Sequence, residues 1–147
     1  MKVLVVYDST YGNTEKIARA IGAAVPGEVK VLRAGEVNVD ELTSYDLLVI
    51  GSPTHGGKPM PPIVDLLNKI PESVTKGKNF AAFDTRIPAK LAKLFGYAAV
   101  KIDKSLKDKG ANAVVSPEGF FVTSDKKPQL KEGELERAAN WAKTLIK

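Results

Sequence analysis

Short apolar runs alternate along this chain with longer stretches of helical spacing, the pattern of a parallel sheet wrapped by helices. Val3 to Val6 is continuously aliphatic and β-branched, as a strand buried on both faces requires. Further strand-like runs fall at Val29 to Leu32, Leu47 to Ile50, Phe80 to Phe83 and Ala113 to Val122. Glu15 to Ala24 places Ile17, Ala20, Ile21 and Ala24 on one face of a helix. The spacing predicts a long helix over Lys90 to Lys109, with Leu91, Leu94, Phe95, Ala98, Ala99, Ile102 and Leu106 inward and Gly110 as its stop. Phe95 and Tyr97 read as packing residues in this pattern. A last helix around Gly133 to Ile146 turns Leu135, Ala138, Ala142 and Leu145 to the core, with Trp141 on or beside that stripe as a structural residue.

The first strand and first helix meet at Ser9, Thr10, Tyr11, Gly12, Asn13 and Thr14. A helix N-terminus at a strand end offers unpaired N–H groups and a positive dipole end to an anion, and Ser9, Thr10 and Thr14 add hydroxyl donors. Ser, Thr and Asn are also ordinary turn and N-cap residues, so the junction alone leaves both readings open. Neither G-x-x-x-x-G-K-[ST] nor G-x-G-x-x-G is present in this loop, which points to a single phosphomonoester rather than a triphosphate or dinucleotide.

Two further loops follow strands. Gly51 to Pro62, GSPTHGGKPMPP, holds three glycines, four prolines and the only histidine within twelve residues, so it is rigid at its ends and permissive at Gly56-Gly57. The other reads Asp84, Thr85, Arg86, Ile87, Pro88. All three loops belong to the C-terminal ends of parallel strands, where open α/β sheets bind ligands.

At 147 residues the chain fits one domain with a real core. With no cysteine, disulfides, thiolate metal sites, iron–sulfur clusters and a cysteine nucleophile are excluded, and a single histidine rules out a multi-histidine metal site. No apolar run approaches the roughly 20 residues that span a bilayer, so the expectation is a cytoplasmic protein without a membrane partner. The net charge of +5 comes from lysines such as Lys101, Lys104, Lys107 and Lys109, interrupted by Asp103 and Asp108. That is a solvated helix surface rather than a nucleic-acid stripe.

Ser9-Thr10-Tyr11-Gly12-Asn13-Thr14 resembles the S/T-x-T-G-N-T phosphate loop of the flavodoxin family in position, length and context. Tyr45 to Ser52 resembles that family's third strand, and Leu106 to Ala111 the close of its fourth long helix, so the likeness runs along the whole chain in its short form. The resemblance implies one flavodoxin-like domain over residues 1–147, an α/β three-layer fold with a five-stranded parallel sheet of order 2-1-3-4-5. It implies FMN as cofactor, with the phosphate at Ser9 to Thr14. The isoalloxazine would lie between Ser52, Pro53, Thr54, His55, Gly56 and Gly57 on one side and Asp84, Thr85, Arg86 and Ile87 on the other. His55 falls where many relatives place a tryptophan, and either stacks on the ring or is a solvated turn residue. The peptide between Gly56 and Gly57 matches the one that flips in the family as the flavin takes up its first electron.

This sequence departs from the family in two respects. Asp84 to Ala89 offers no aromatic where relatives usually carry a tyrosine over the outer flavin face, leaving that face open or covered by an aliphatic residue such as Ile87. Lys58 and Arg86 stand in the flavin loops where relatives tend to be acidic, and a nearby cation stabilises reduced, anionic flavin, so a less negative second potential is expected. The leading expectation is a monomeric one-electron carrier between redox protein partners, acidic ones given the basic surface, with no catalytic or metal-ligating residue of its own. The alternatives are an NAD(P)H-dependent FMN reductase of quinone type and a flavodoxin-like module without flavin.

Overall fold

The computed structural model describes residues 1–88 and 96–146. Its strands are β1 (Lys2–Tyr7), β2 (Glu28–Arg33), β3 (Leu47–Pro53), β4 (Asn79–Arg86), β5 (Asn112–Ala113) and β6 (Glu118–Phe121). Its helices are α1 (Asn13–Ala24), α2 (Pro61–Lys69), the single turn α3 (Glu72–Thr75), α4 (Ala98–Asp108) and α5 (Glu134–Thr144), with 3-10 turns at Ala34–Glu36 and Val39–Ser44. The sheet runs β2-β1-β3-β4-β5, and these strands and β6 all pair in parallel, matching the expected order 2-1-3-4-5.

Alternation along β1 sorts the core into two layers. Val3, Val5 and Tyr7 face α1 and α5, packing with Ile17, Ile21, Phe83, Phe120 and Trp141. Leu4 and Val6 face the opposite side with Leu48, Ile50, Ile63, Leu66, Phe80, Ile102 and Leu106. Both faces of β1 and β3 are therefore dry, which is why their sequences are continuously apolar. Trp141 belongs to the first layer: it, Phe83 and Phe120 meet edge to face with centroids 5.9–6.2 Å apart.

Three expectations need correction. The run Ala113 to Val122 is two strands, both on β4: β5 pairs with its start, Asn79 and Phe80, and β6 with its end, Phe83 to Arg86. The extra chain between them includes Pro117, which has no N–H for a ladder. The expected helix from Lys90 does not reach Lys109 unbroken. Its residues Lys90, Leu91, Leu94 and Phe95 lie outside the described residues, and α4 begins at Ala98, after Gly96 (φ 82°) and the extended Tyr97. Its far end is as read: Gly110 adopts φ 82° and its N–H bonds the Lys107 carbonyl while Ala111 reaches Leu106, the Schellman stop. Leu135 is 46 % exposed, because α5 buries Glu134, Ala138, Trp141 and Ala142, and Leu135 lies one step around the helix from that stripe.

Gly51 pairs with Phe83 across β3 and β4, and a Cβ placed on it would stand 2.1 Å from the Phe83 ring. That ring is fully buried against Phe120 and Trp141 and has nowhere to go. Gly51→Ala should therefore cost about 1–3 kcal/mol by overpacking, read as a lower urea midpoint at unchanged slope. An unchanged midpoint would show that the ring moves aside.

Candidate functional site

Helix α1 starts two residues earlier than the periodicity predicts. Gly12 sits at φ 89°, a left-handed conformation that side chains resist, and this turns the chain directly into the first helical turn at Asn13. Asn13 and Thr14 consequently contribute first-turn N–H groups, which have no partner within the helix. Ser9 steadies the turn by accepting the Gly12 N–H at 2.9 Å. Arg33, at the end of β2, holds the loop from the other side by donating to the Asp8 carboxylate at 3.1 Å and to the Ser9 carbonyl at 3.2 Å.

The second loop is a two-residue hairpin. His55 and Lys58 exchange backbone hydrogen bonds at 2.9 Å in both directions. Gly56 and Gly57 have φ of 56° and 77°, the paired positive values of a type I′ turn that two glycines adopt without steric cost. Ser52 closes the base of the loop: its buried hydroxyl donates to the Pro53 carbonyl and accepts the Met60 N–H, both at 2.8 Å. Thr54 is pinned by its own N–H to the Thr85 carbonyl at 2.9 Å, and its hydroxyl accepts the Ala98 N–H at the start of α4.

The third loop is organised by Asp84, which is fully buried. Its carboxylate accepts a two-pronged bond from Arg86 at 2.7 and 2.8 Å and the Ala99 N–H at 2.9 Å. Burial pushes the Asp84 carboxyl up from its ordinary value, against the pull of Arg86 and Ala99. Neighbouring Thr85 points to the other side of the strand, and its hydroxyl meets that of Thr14 at 2.8 Å. That buried contact joins the first loop to the third.

These loops enclose a cavity of about 290 Å³ above the strand ends. Ser9, Thr10, Tyr11, Asn13, Thr14, Pro53, Thr54, His55, Gly56, Thr85, Arg86 and Ile87 line it. Gly12, Ser52, Gly57 and Asp84 stand outside the lining and act on the loops that form it, through the bonds and turn geometry above. The Asn13 side chain does not serve the helix end; it donates to the Pro128 carbonyl at 2.7 Å.

Pro128 belongs to a wall that the sequence reading missed. After β6 the chain folds back as a hairpin, with Val122 bridging Leu130 and the Thr123 N–H bonded to the Gln129 carbonyl at 2.8 Å. Val122 and Pro128 complete the cavity lining. The turn-forming run Ser124-Asp125-Lys126-Lys127-Pro128 between Phe120 and Leu130 was the available signal. The hairpin is anchored by Glu134, whose carboxylate accepts the Phe121 N–H at 2.7 Å and the Arg137 guanidinium at 2.7 and 3.0 Å.

Arg137 holds the Glu134 carboxyl below its ordinary value. A depressed folded-state value gives stability that is fully present above the unfolded carboxylate range and is lost as pH falls below that range and through the depressed value. Glu134→Gln should therefore lower stability by about 1.5–3 kcal/mol at pH 7, and the difference from wild type should narrow steadily as pH falls below about 4. Urea unfolding at pH 7 and pH 3.5 reads both; a penalty independent of pH would contradict the carboxylate's role.

Comparison with known proteins gives a consistent picture. The family model described as flavodoxin matches residues 5–141. A flavodoxin of Megasphaera elsdenii is 34% identical over 90 residues, 55% of this chain and 62% of that protein. A type A flavoprotein, fprA, of Rhodobacter capsulatus is 35% identical over 89 residues, 55% of this chain and 20% of that protein, so the match spans less than two thirds of either relative. Oxidised Flavodoxin 2 from Bacillus cereus superposes with a TM-score of 0.80 at 26% identity, covering 99% of this chain and 97% of that one.

Proposed function

The chain belongs to the flavodoxin family, and we propose that it carries electrons between redox proteins through one FMN held in the cavity at the strand ends. The observation that carries this reading is the convergence of a helix N-terminus, a glycine hairpin and the end of β4 on one cavity. The residues fit the group. Ser9, Thr10 and the first-turn N–H groups of Asn13 and Thr14 would hold its phosphate, which needs donors and a dipole end rather than a metal. Pro53, His55, Gly56 and Ile87 offer the apolar and planar walls an isoalloxazine requires, while Thr54 and Thr85 add polar atoms. Bound there, FMN supplies reversible uptake of one or two electrons.

What these side chains do is bind, orient and leave access. Ile87 is 43 % and Tyr11 55 % exposed, so the cavity's rim stays open to a protein partner. No helix among the described residues is long and apolar enough to cross a membrane. Docking of a redox protein at this rim is the reading that the exposed Ile87 and Tyr11 support.

Charge supports an acidic partner. Exposed Lys58 follows the glycine hairpin at one side of the cavity, and exposed Lys126 and Lys127 precede Pro128 at another. Replacing both Lys126 and Lys127 by Glu should slow electron transfer to an acidic partner about tenfold at low salt and leave FMN affinity unchanged, with the difference collapsing at high ionic strength. A rate unaffected by the double change would remove the hairpin from docking.

Stepwise anaerobic reduction of FMN-loaded protein, followed by visible absorption, tests the function itself. A carrier shows one FMN per chain and passes electrons to a redox protein while oxidising NAD(P)H almost not at all. Steady NAD(P)H oxidation would replace this reading with the quinone-reductase one, and failure to take up FMN would overturn both.

A further inference from the structure

Arg86 is the only side chain with a permanent charge among the described residues lining the cavity, and three neighbours hold its guanidinium. Asp84 engages its edge through Nε and Nη2. The Tyr97 ring lies against one face, its centroid 3.5 Å from Cζ. The opposite face rests on Gly119, where a Cβ would stand 2.1 Å from Nε and 2.2 Å from Cζ. No residue but glycine fits beneath that guanidinium without moving it. Gly119 is the β6 partner of Asp84, so strand register places the gap under the arginine.

The pair is also directional. The Asp84 side chain is fully buried and that of Arg86 is 16 % exposed, so the anion lies behind and the cation borders the cavity. An ion pair set this way has little net charge but presents the positive end of a fixed dipole, in surroundings where water does little to screen it. Uptake of two electrons and one proton by FMN leaves its isoalloxazine with one negative charge. The phosphate carries its charge in both states, so attraction between it and Arg86 cancels in any comparison of the two.

Resting on the FMN reading above, we propose that Arg86 makes this site favour reduced over oxidised FMN, with Asp84, Tyr97 and Gly119 as the positioning residues that aim it. This assigns Tyr97 and Gly119 a role that neither packing nor turn chemistry requires. It also replaces the simple picture of a loose cation in a loop: the effect depends on orientation, and Gly119→Ala should remove most of it with every charge retained.

The test compares dissociation constants for oxidised FMN and for dithionite-reduced FMN, measured anaerobically by fluorescence, together with urea unfolding of the FMN-free protein. Arg86→Gln is expected to weaken binding of reduced FMN about tenfold more than that of oxidised FMN, a fall of about 30 mV in the two-electron midpoint. Because that variant leaves Asp84 buried without its partner, the pair Asp84→Asn with Arg86→Gln provides a fold-neutral control. It should still shift the ratio of the two constants about threefold in the same direction while restoring the urea midpoint. If Arg86 serves only to tie β4 to β6 and α4, both constants change by one common factor in all three variants, and the proposal fails. Wild-type protein that binds no FMN would overturn the functional reading as well, whereas wild type that binds it with an unmoved ratio in the variants overturns this inference alone.

Discussion

The register of β4 is the constraint on which the rest of the site depends. Ser52 lies beside Asp84 and Pro53 beside Thr85 on one flank, while Gly119 and Phe120 take the same two places on the other. Side chains alternate along a strand, so this register sends Thr85 to meet Thr14 and sends Asp84 to meet Ala99 and Arg86. A slip by one residue would exchange those roles, placing a buried carboxylate against the β1–α1 junction and withdrawing the contact between the first and third loops. Phe83 fixes the register from beneath, since its ring fills the space above Gly51 and packs on Phe120 and Trp141. The core thus sets the cavity's walls, and the cavity's polar contacts in turn hold loops that would otherwise be free to move apart.

Most of the fold was legible because burial on two faces leaves a plain mark. Val3 to Val6 and Leu47 to Ile50 carried the continuous apolar run expected of interior strands, and strand–helix alternation implied a parallel sheet. The break between β5 and β6 was harder to see, since Val114 and Val115 continue the apolar run before Ser116 to Gly119 interrupt it. Leu135 misled because periodicity tolerates a neighbour of the buried stripe, and the phase of a helix is settled by which residues meet its partners. Here Glu134 took the inward position, through bonds to Phe121 and Arg137 that no hydrophobic pattern records.

The site shows the same division. Loops at strand ends could be found from their turn chemistry, and the residues from Ser9 to Thr14 advertise an anion by type and position. Partners distant in sequence could not be read: Asn13 with Pro128, Thr14 with Thr85, and Tyr97 with Arg86 depend on how helices and strands are stacked. Tyr97 is instructive, because the helical pattern read it as a packing residue, whereas after the positive φ of Gly96 it is extended, precedes α4 and lays its ring on the arginine.

The junction between β1 and α1 is the part of the molecule on which the proposed FMN site rests: a strand end, a left-handed glycine and first-turn N–H groups with no cation among the residues that form it. The most direct measurement is a titration of the flavin-free protein with FMN and, in parallel, with riboflavin, which has the same ring and no phosphate. A phosphate held by two or more charge-assisted hydrogen bonds at that junction predicts that FMN binds at least about a hundredfold more tightly. Equal affinity for the two would show that the junction holds no phosphate.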